Sequence, residues 1–378
     1  MIPPLNEAVY GAKRSAIREY SALARSTPGC VALTLGEPEF DTPAPVRAAA
    51  IESLNSHETH YIPNNGAPAL LEALSAYEKR QNGLDYAPGE IIVTAGATEA
   101  LFVALFGILN PGDEVLIPVP AFVLYEEIVR LCRGVPVRFD TAPDGFQLDP
   151  ERFAAAITPR TKAIVLNSPN NPTGCVYTRE SLDAIAGILA DKPVFVVCDE
   201  VYRRLCYLPD CPAFSSHREL RDRLLVVDSF SKPWAMTGWR MGWLMADAAV
   251  KERLELLHQY MVVSTPAPFQ RAAAAALDCD CAPMRELYRK RRDRVLERLA
   301  AMGLDCPRPE GAFYAFPSIQ KFGLDSGTFC ARMIREAGLA ATPGFCFGGE
   351  GHIRLSYCCA DKVLEEGLNR LEKFIDRL

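Results

Sequence analysis

The chain has 378 residues, 49% hydrophobic and 23% charged, enough apolar material to bury a large core and to form two domains. A formal net charge of −6 leaves no electrostatic footprint for nucleic acid or an acidic membrane surface, and neither is expected as a partner. No apolar run is long enough to span a bilayer, the first ten residues lack a secretory pattern, and the thirteen cysteines are odd in number without a Cys-x-x-Cys pair, so a cytoplasmic protein with reduced thiols and no metal site is expected.

In chain order, short Val/Ile/Leu-rich runs alternate with longer helical patterns, which predicts a parallel sheet covered on both faces. Strands are expected at 91–94, 114–118, 135–139, 163–167, 194–199, 224–229 and 241–245. A helix over 99–109 follows the first strand, so the turn between them offers free amides and the positive end of a helix dipole to an anion. Further on, 284–301 reads as a long helix with Arg and Glu at i,i+4 spacing, a solvated face with one apolar stripe. It connects to a smaller α+β region. The carboxyl ends of three strands carry Asn167, Asp199 and Ser229, and that edge is where open α/β sheets bind ligands.

The run from Ser229 to Arg240 sets a lysine, two hydroxyls and an arginine around a glycine-containing loop. A lysine amine such as that of Lys232 can condense with an aldehyde once desolvation or neighbours lower its pKa. Arg240 offers a planar fork of donors to a phosphate, and Ser229 and Ser231 are short enough to fill in the remaining oxygens. Asp199 ends an apolar strand, where a carboxylate would keep a pyridine nitrogen protonated. Tyr202, and Asn171 in the Asn-Pro-Thr-Gly turn, are candidate donors to a phenolic oxygen. Amine, cation and carboxylate together suit pyridoxal 5'-phosphate.

Order and content resemble the fold type I, class I/II aminotransferases of the aspartate aminotransferase superfamily. The resemblance runs from Gly36-Glu37-Pro38-Glu39-Phe40-Asp41-Thr42-Pro43 through Tyr61-Ile62-Pro63-Asn64-Asn65-Gly66 and Thr94-Ala95-Gly96-Ala97-Thr98-Glu99, and closes with Gly311-Ala312-Phe313-Tyr314 and His352-Ile353-Arg354-Leu355-Ser356. It implies a large pyridoxal-phosphate-binding domain, 40–281, with a mostly parallel seven-stranded sheet sandwiched by helices, and a smaller α+β domain of 1–39 and 282–378. It makes Lys232 the Schiff-base lysine, Asp199 the pyridinium partner, and Asn171 and Tyr202 the ring-oxygen donors. Arg240, Ser229, Ser231 and the amides of Gly96, Ala97 and Thr98 become the phosphate cup. Phe122 lies where the family stacks an aromatic ring on the cofactor, and Arg354 looks like the residue that pairs with the substrate α-carboxylate, beside Gly36 and Asn171. Tyr61 would reach the phosphate from a neighbouring subunit, which implies a homodimer with shared active sites.

The implied activity moves an amino group from an L-amino acid to a 2-oxo acid by a ping-pong route. A lyase breaking a Cβ–S bond would use the same lysine, aspartate and arginine and is the alternative. A transcription regulator with an aminotransferase-like sensor is disfavoured, because the Gly36 motif comes too early to leave room for a DNA-binding module. Bacterial aspartate-type relatives carry a lysine where this chain has Thr98 and Glu99, and Glu99 is expected to repel an acidic group. A donor with a neutral or aromatic side chain is therefore expected, with 2-oxoglutarate as acceptor by analogy.

Overall fold

The computed structural model describes residues 3–11 and 16–378. A short strand, β1 (Val31–Ala32), precedes the seven strands of the central sheet: β2 (Ile91–Thr94), β3 (Glu114–Val119), β4 (Val135–Asp140), β5 (Thr161–Asn167), β6 (Phe195–Asp199), β7 (Leu224–Ser229) and β8 (Gly242–Met245). They lie in the order β2-β8-β7-β6-β5-β3-β4, and every neighbouring pair is parallel except the two that involve β8. Each expected strand is present, with ends within two residues of those expected.

Apart from the edge strand β4, which is largely exposed, these strands are mostly apolar and buried because both faces of the sheet are covered. Val196, Cys198, Leu224 and Val226 face one cluster with Leu74, Tyr77 and Trp234. Their neighbours Val197, Leu225 and Val227 face another with Ala104, Val129 and Leu254. From β3 the chain moves out to the edge strand β4, whereas from β5 it moves the other way through β6 and β7. The crevice at the carboxyl ends of β3 and β5 is therefore a topological switch point, where such sheets open toward a ligand.

A second core forms around four short strands: β9 (Tyr314–Ala315), β10 (Leu339–Ala340), β11 (Thr342–Pro343) and β12 (Ile353–Ser356). β1 pairs in parallel with β10, and β12 lies between β11 and β9 with antiparallel neighbours. Leu33, Phe313, Phe329, Met333, Leu355, Leu368 and Leu371 fill this core, and Val201, Tyr202 and Leu205, just after β6, pack into it. Beyond Leu33, the segment Thr34 to Glu37 runs from this core to the central sheet's carboxyl edge.

Two helices differ from the sequence expectation. The helix Ala97–Ile108 begins two residues early, at an N-cap Gly96 with φ 79°. The helix Ala282–Ala301 also begins two residues early, since Pro283 fits a first turn that has no use for its missing N–H. Its charged residues are not all solvated: Arg291 and Arg292 are buried. Arg291 pairs with Glu39 and Asp361, and Arg292 donates to the Pro309 carbonyl at 2.7 Å and to Glu310 at 3.1 Å. One arginine-rich face is thus an internal bridge between chain segments. All thirteen cysteines are free thiols. Among the described residues no group of His, Cys, Asp or Glu is arranged to hold a metal, and no helix is long and apolar enough to cross a membrane.

Candidate active site

A cavity of about 600 Å³ opens at the carboxyl edge of the sheet, and Lys232 projects into it from the loop after β7. Its Nζ donates to the Gly36 carbonyl at 2.6 Å. Burial strips water from the ammonium and lowers its pKa to about 8; Arg354 and Arg240 push the same way, while Cys358 and Glu37 oppose. Such an amine holds far more of its neutral, nucleophilic form near neutral pH than an ordinary lysine.

Asp199, the last residue of β6, is 4% exposed. Loss of water raises its pKa to about 6, opposed by the Tyr125 hydroxyl, which donates to Oδ2 at 2.6 Å, and by the Val201 amide, which donates to Oδ1 at 3.3 Å. A carboxyl in this state becomes an anion readily when a cation is set beside it. Asn167, at the end of β5, donates its Nδ2 to the Asp199 carbonyl at 3.0 Å and accepts the Asn171 amide at 2.9 Å. The Asn-Pro-Thr-Gly turn is thereby tied to the strand that carries the acid. The Tyr202 hydroxyl lies 2.8 Å from that of Tyr314.

At one end of the cavity the chain builds an anion site. Ala97 and Thr98 line it from the first turn of a helix, whose leading amides have no partner within the helix. Arg240 has φ 53°, and its guanidinium donates to the carbonyls of Thr237 at 2.9 Å and Ala95 at 3.3 Å. The φ of Gly96 favours glycine, and a Cβ there would stand 2.5 Å from Arg240 Nη2 and displace the guanidinium. The Ser229 and Ser231 hydroxyls are 2.8 Å apart at the same end. Two hydroxyls, a guanidinium and a helix N-terminus suit a phosphate dianion.

At the other end Arg354, from β12, is 3% exposed. Its Nη1 donates to Asn171 Oδ1 at 2.8 Å and its Nη2 to the Thr34 carbonyl at 2.6 Å, while the guanidinium lies 4.5 Å from the centre of the Tyr314 ring and 4.8 Å from that of Phe347. Its Nε is buried without a hydrogen-bond partner among the described residues. A planar cation fixed on both faces with a donor to spare suits a carboxylate. A Cβ on Gly36 would meet the Tyr314 hydroxyl at 2.0 Å, so only glycine lets this segment close over Lys232.

The cavity brings together twelve of the fourteen residues expected to bind cofactor or substrate, among them Phe122, whose ring meets Tyr125 edge-on at 6.2 Å. Gly96 stands just behind its wall. Tyr61 does not join them; it is 89% exposed, outside the cavity. Glu99 corrects an expectation, since its carboxylate turns back to the Ala95 amide and to His258 and is not a cavity wall. Sequence reasoning missed Tyr125, whose place three residues after Phe122 looks like ordinary apolar helix spacing. It also missed Arg18 and Arg25, which with Ile17 and Ser21 line the cavity from one face of the helix Ala16–Ser26.

The sequence profile described as "Aminotransferase class I and II" matches residues 28–371. The chain belongs to that family. This aminotransferase is 42% identical over 367 residues to the probable N-acetyl-LL-diaminopimelate aminotransferase of Bacillus subtilis, covering 96% of this chain and 93% of that one. It is 42% identical over 354 residues to the aspartate/prephenate aminotransferase of Thermus thermophilus, covering 92% and 91%. The solved structure of Thermus thermophilus aspartate aminotransferase with maleate superposes with a TM-score of 0.94 at 40% identity, covering 99% of this chain and 100% of that one. The fold is therefore fold type I, the cofactor is pyridoxal 5'-phosphate, and the reaction is transfer of an amino group between amino and oxo acids. The C–S lyase alternative is not favoured by these relatives. The residues present fit the cofactor: the anion end suits its phosphate, Asp199 its ring nitrogen, and the amine of Lys232 its aldehyde.

Proposed function

We propose that this aminotransferase takes a donor with a neutral or aromatic side chain and passes the amino group to 2-oxoglutarate, in a ping-pong cycle at sites shared between two subunits. The carrying observation is the separation of cations in the cavity. Arg354 is held for an α-carboxylate at one end and Arg240 for a phosphate at the other. Among the described residues, the cations left apart from Lys232 are Arg18 and Arg25, both exposed at the rim. A neutral donor leaves these two in water, and an acidic acceptor reaches them with its distal carboxylate. Aspartate as donor is the second reading, favoured by the same two arginines and by the inward turn of Glu99.

Bound pyridoxal 5'-phosphate supplies a carbonyl carbon for exchange with amines and a ring that takes up electron density. Arg354 and Asn171 orient the amino acid through its carboxylate, with Gly36 leaving room for it. Lys232 Nζ removes the proton from the substrate α-carbon and returns one later in the cycle. Asp199, steadied by Tyr125, would hold a proton on the ring nitrogen. Tyr202 and Asn171 would donate hydrogen bonds at the ring oxygen, and Phe122 would pack against the ring. Arg240, Ser229, Ser231 and the Gly96, Ala97 and Thr98 amides would hold the phosphate, joined by Tyr61 of a neighbouring subunit.

A homodimer is supported by apolar side chains left in water: Tyr61 at 89% and Tyr260 at 85% exposure, with Phe106, Met261 and Val263 also exposed. Two domains, 40–281 and the discontinuous pair 1–39 and 282–378, are supported by separate apolar cores. Thirteen free thiols support a reducing, cytoplasmic setting.

The test is a panel of the common amino acids against 2-oxoglutarate and pyruvate, read as keto acid formed. Strong preference for aspartate over every neutral amino acid would overturn the donor assignment. Sedimentation at high dilution, with activity measured in parallel, tests the shared site: a fully active monomer would rule it out.

A further inference from the structure

His258, on the helix Ala248–Val262, is 0% exposed and does not line the active-site cavity. Its two ring nitrogens meet groups from distant parts of the chain. Nδ1 lies 2.7 Å from Glu99 Oε1, and Nε2 lies 2.9 Å from the Asn64 carbonyl oxygen. A carbonyl has no proton to give, so Nε2 carries a hydrogen and donates it. The Nδ1 contact then holds a single proton between imidazole and carboxyl, and the pair is neutral whichever atom has it.

Each end of this bridge grips a piece of the phosphate site. The other oxygen of Glu99 accepts the Ala95 amide, next to Gly96, which caps the helix presenting Ala97 and Thr98 to the cavity. On the far side Asn64 begins a segment pinned at two more points: the Asn65 carbonyl accepts the Val93 amide at 2.8 Å, and the Ala67 amide donates to Gln270 Oε1 at 2.7 Å. Tyr61 stands three residues before Asn64, directed into solvent.

We propose that Glu99 and His258 are positioning residues that lock the phosphate turn and the Tyr61 arm into one rigid body through a buried shared-proton bridge. Neither lines the cavity. The proposal rests, for the arm, on the reading that Tyr61 reaches a neighbouring subunit's phosphate; the turn stands independently of it.

The test measures affinity of the cofactor-free protein for pyridoxal 5'-phosphate and for inorganic phosphate, by titration of tryptophan fluorescence, alongside thermal midpoints. Glu99→Ala and His258→Gln both sever the link between turn and histidine, and each is expected to weaken both ligands by about 10-fold, the scale of one charge-assisted hydrogen bond. Glu99→Gln still accepts the Ala95 amide and can donate to Nδ1, so it is expected to stay within about twofold of the parent. His258→Asn keeps the Glu99 contact and frees Asn64; its loss of affinity is expected to vanish in a Tyr61→Phe background. Midpoints that fall while both affinities stay unchanged in Glu99→Ala and His258→Gln would reduce the bridge to a structural brace and overturn the proposal. Should Glu99→Ala not fold, the affinities of His258→Gln decide whether the turn depends on the bridge. An unchanged affinity in Tyr61→Phe alone would sink the reading of Tyr61 and the arm's share of the proposal, leaving the turn to be judged by Glu99→Ala.

Discussion

Arg354 and Arg240 both offer a guanidinium to an anion, yet they are held in different ways. Arg354 is 3% exposed, sits against two aromatic rings, and already donates to Asn171 and the Thr34 carbonyl. Arg240 is exposed, in a left-handed backbone conformation, and donates to the carbonyls of Thr237 and Ala95. The carboxylate end is preorganised by packing between the two cores, whereas the phosphate end is built on a turn and relies on backbone amides around it. Between them stands Lys232, its ammonium form disfavoured by burial and by both arginines. In the proposed roles, a rigid reader for the exchanging substrate is paired with an open cup for the resident group.

The largest expected effect comes from removing what the two ends share. In the proposed roles, Lys232→Ala takes away both the amine that holds the cofactor and the group that moves the α-proton; proton transfer alone is a factor of about 10²–10⁴, so turnover should fall at least that far. Steady-state rates check it, together with the visible absorption: a variant whose spectrum still shifts like the parent's on adding amino acid would break the assignment.

Next, the two arginines should fail differently. Arg354→Lys loses the planar fork and its ring contacts, and kcat/KM for the amino acid is expected to drop about 10²-fold with cofactor affinity unchanged. Arg240→Lys is expected to weaken cofactor affinity about 10-fold and to change amino acid kinetics little at saturating cofactor. Equal effects of both variants on both quantities would erase the distinction between the ends.

Tyr125→Phe sharpens the middle of the site. It removes the donor at 2.6 Å from Asp199, with an expected loss of about 5–10-fold in kcat/KM. Because that hydrogen bond holds the Asp199 pKa down, removing it raises the pKa further above its present value of about 6, and the acid limb of the pH–rate profile should move to higher pH. An acid limb that stays put would detach Tyr125 from the function of Asp199.

The smallest effect concerns the lysine's own proton. In cofactor-free protein the reaction of Lys232 with an added aldehyde should rise with pH through about 8 and level off above it, since only the neutral amine attacks. Glu37 holds that value up, so Glu37→Gln should move the rise to lower pH. A shift upward would contradict the electrostatics.

Much of the fold and the centre of the site could be read from the chain because they rest on local patterns. The seven strands are short apolar runs between helical stretches, and Asp199 and Ser229 end two of them, so the sheet's geometry puts them at the switch-point edge. The expectation for Glu99 failed for a different reason. A carboxylate in the first turn of a helix can face the ligand or fold back onto the preceding amide, and a histidine 159 residues away chose the second.

What the sequence by itself determined is the set of reactive groups and their order: Lys232 in a loop after a strand, Asp199 at a strand end, and arginines at 240 and 354. These follow from residue type and spacing, which do not depend on what packs nearby. Tertiary structure alone decided which groups turn inward and how their acidity changes. Tyr125 reaches Asp199, Arg18 and Arg25 reach the cavity rim, and Arg291 and Arg292 go under the surface only because separate segments pack together. Desolvation and long-range hydrogen bonds arise from that packing, so no local stretch of chain contains them.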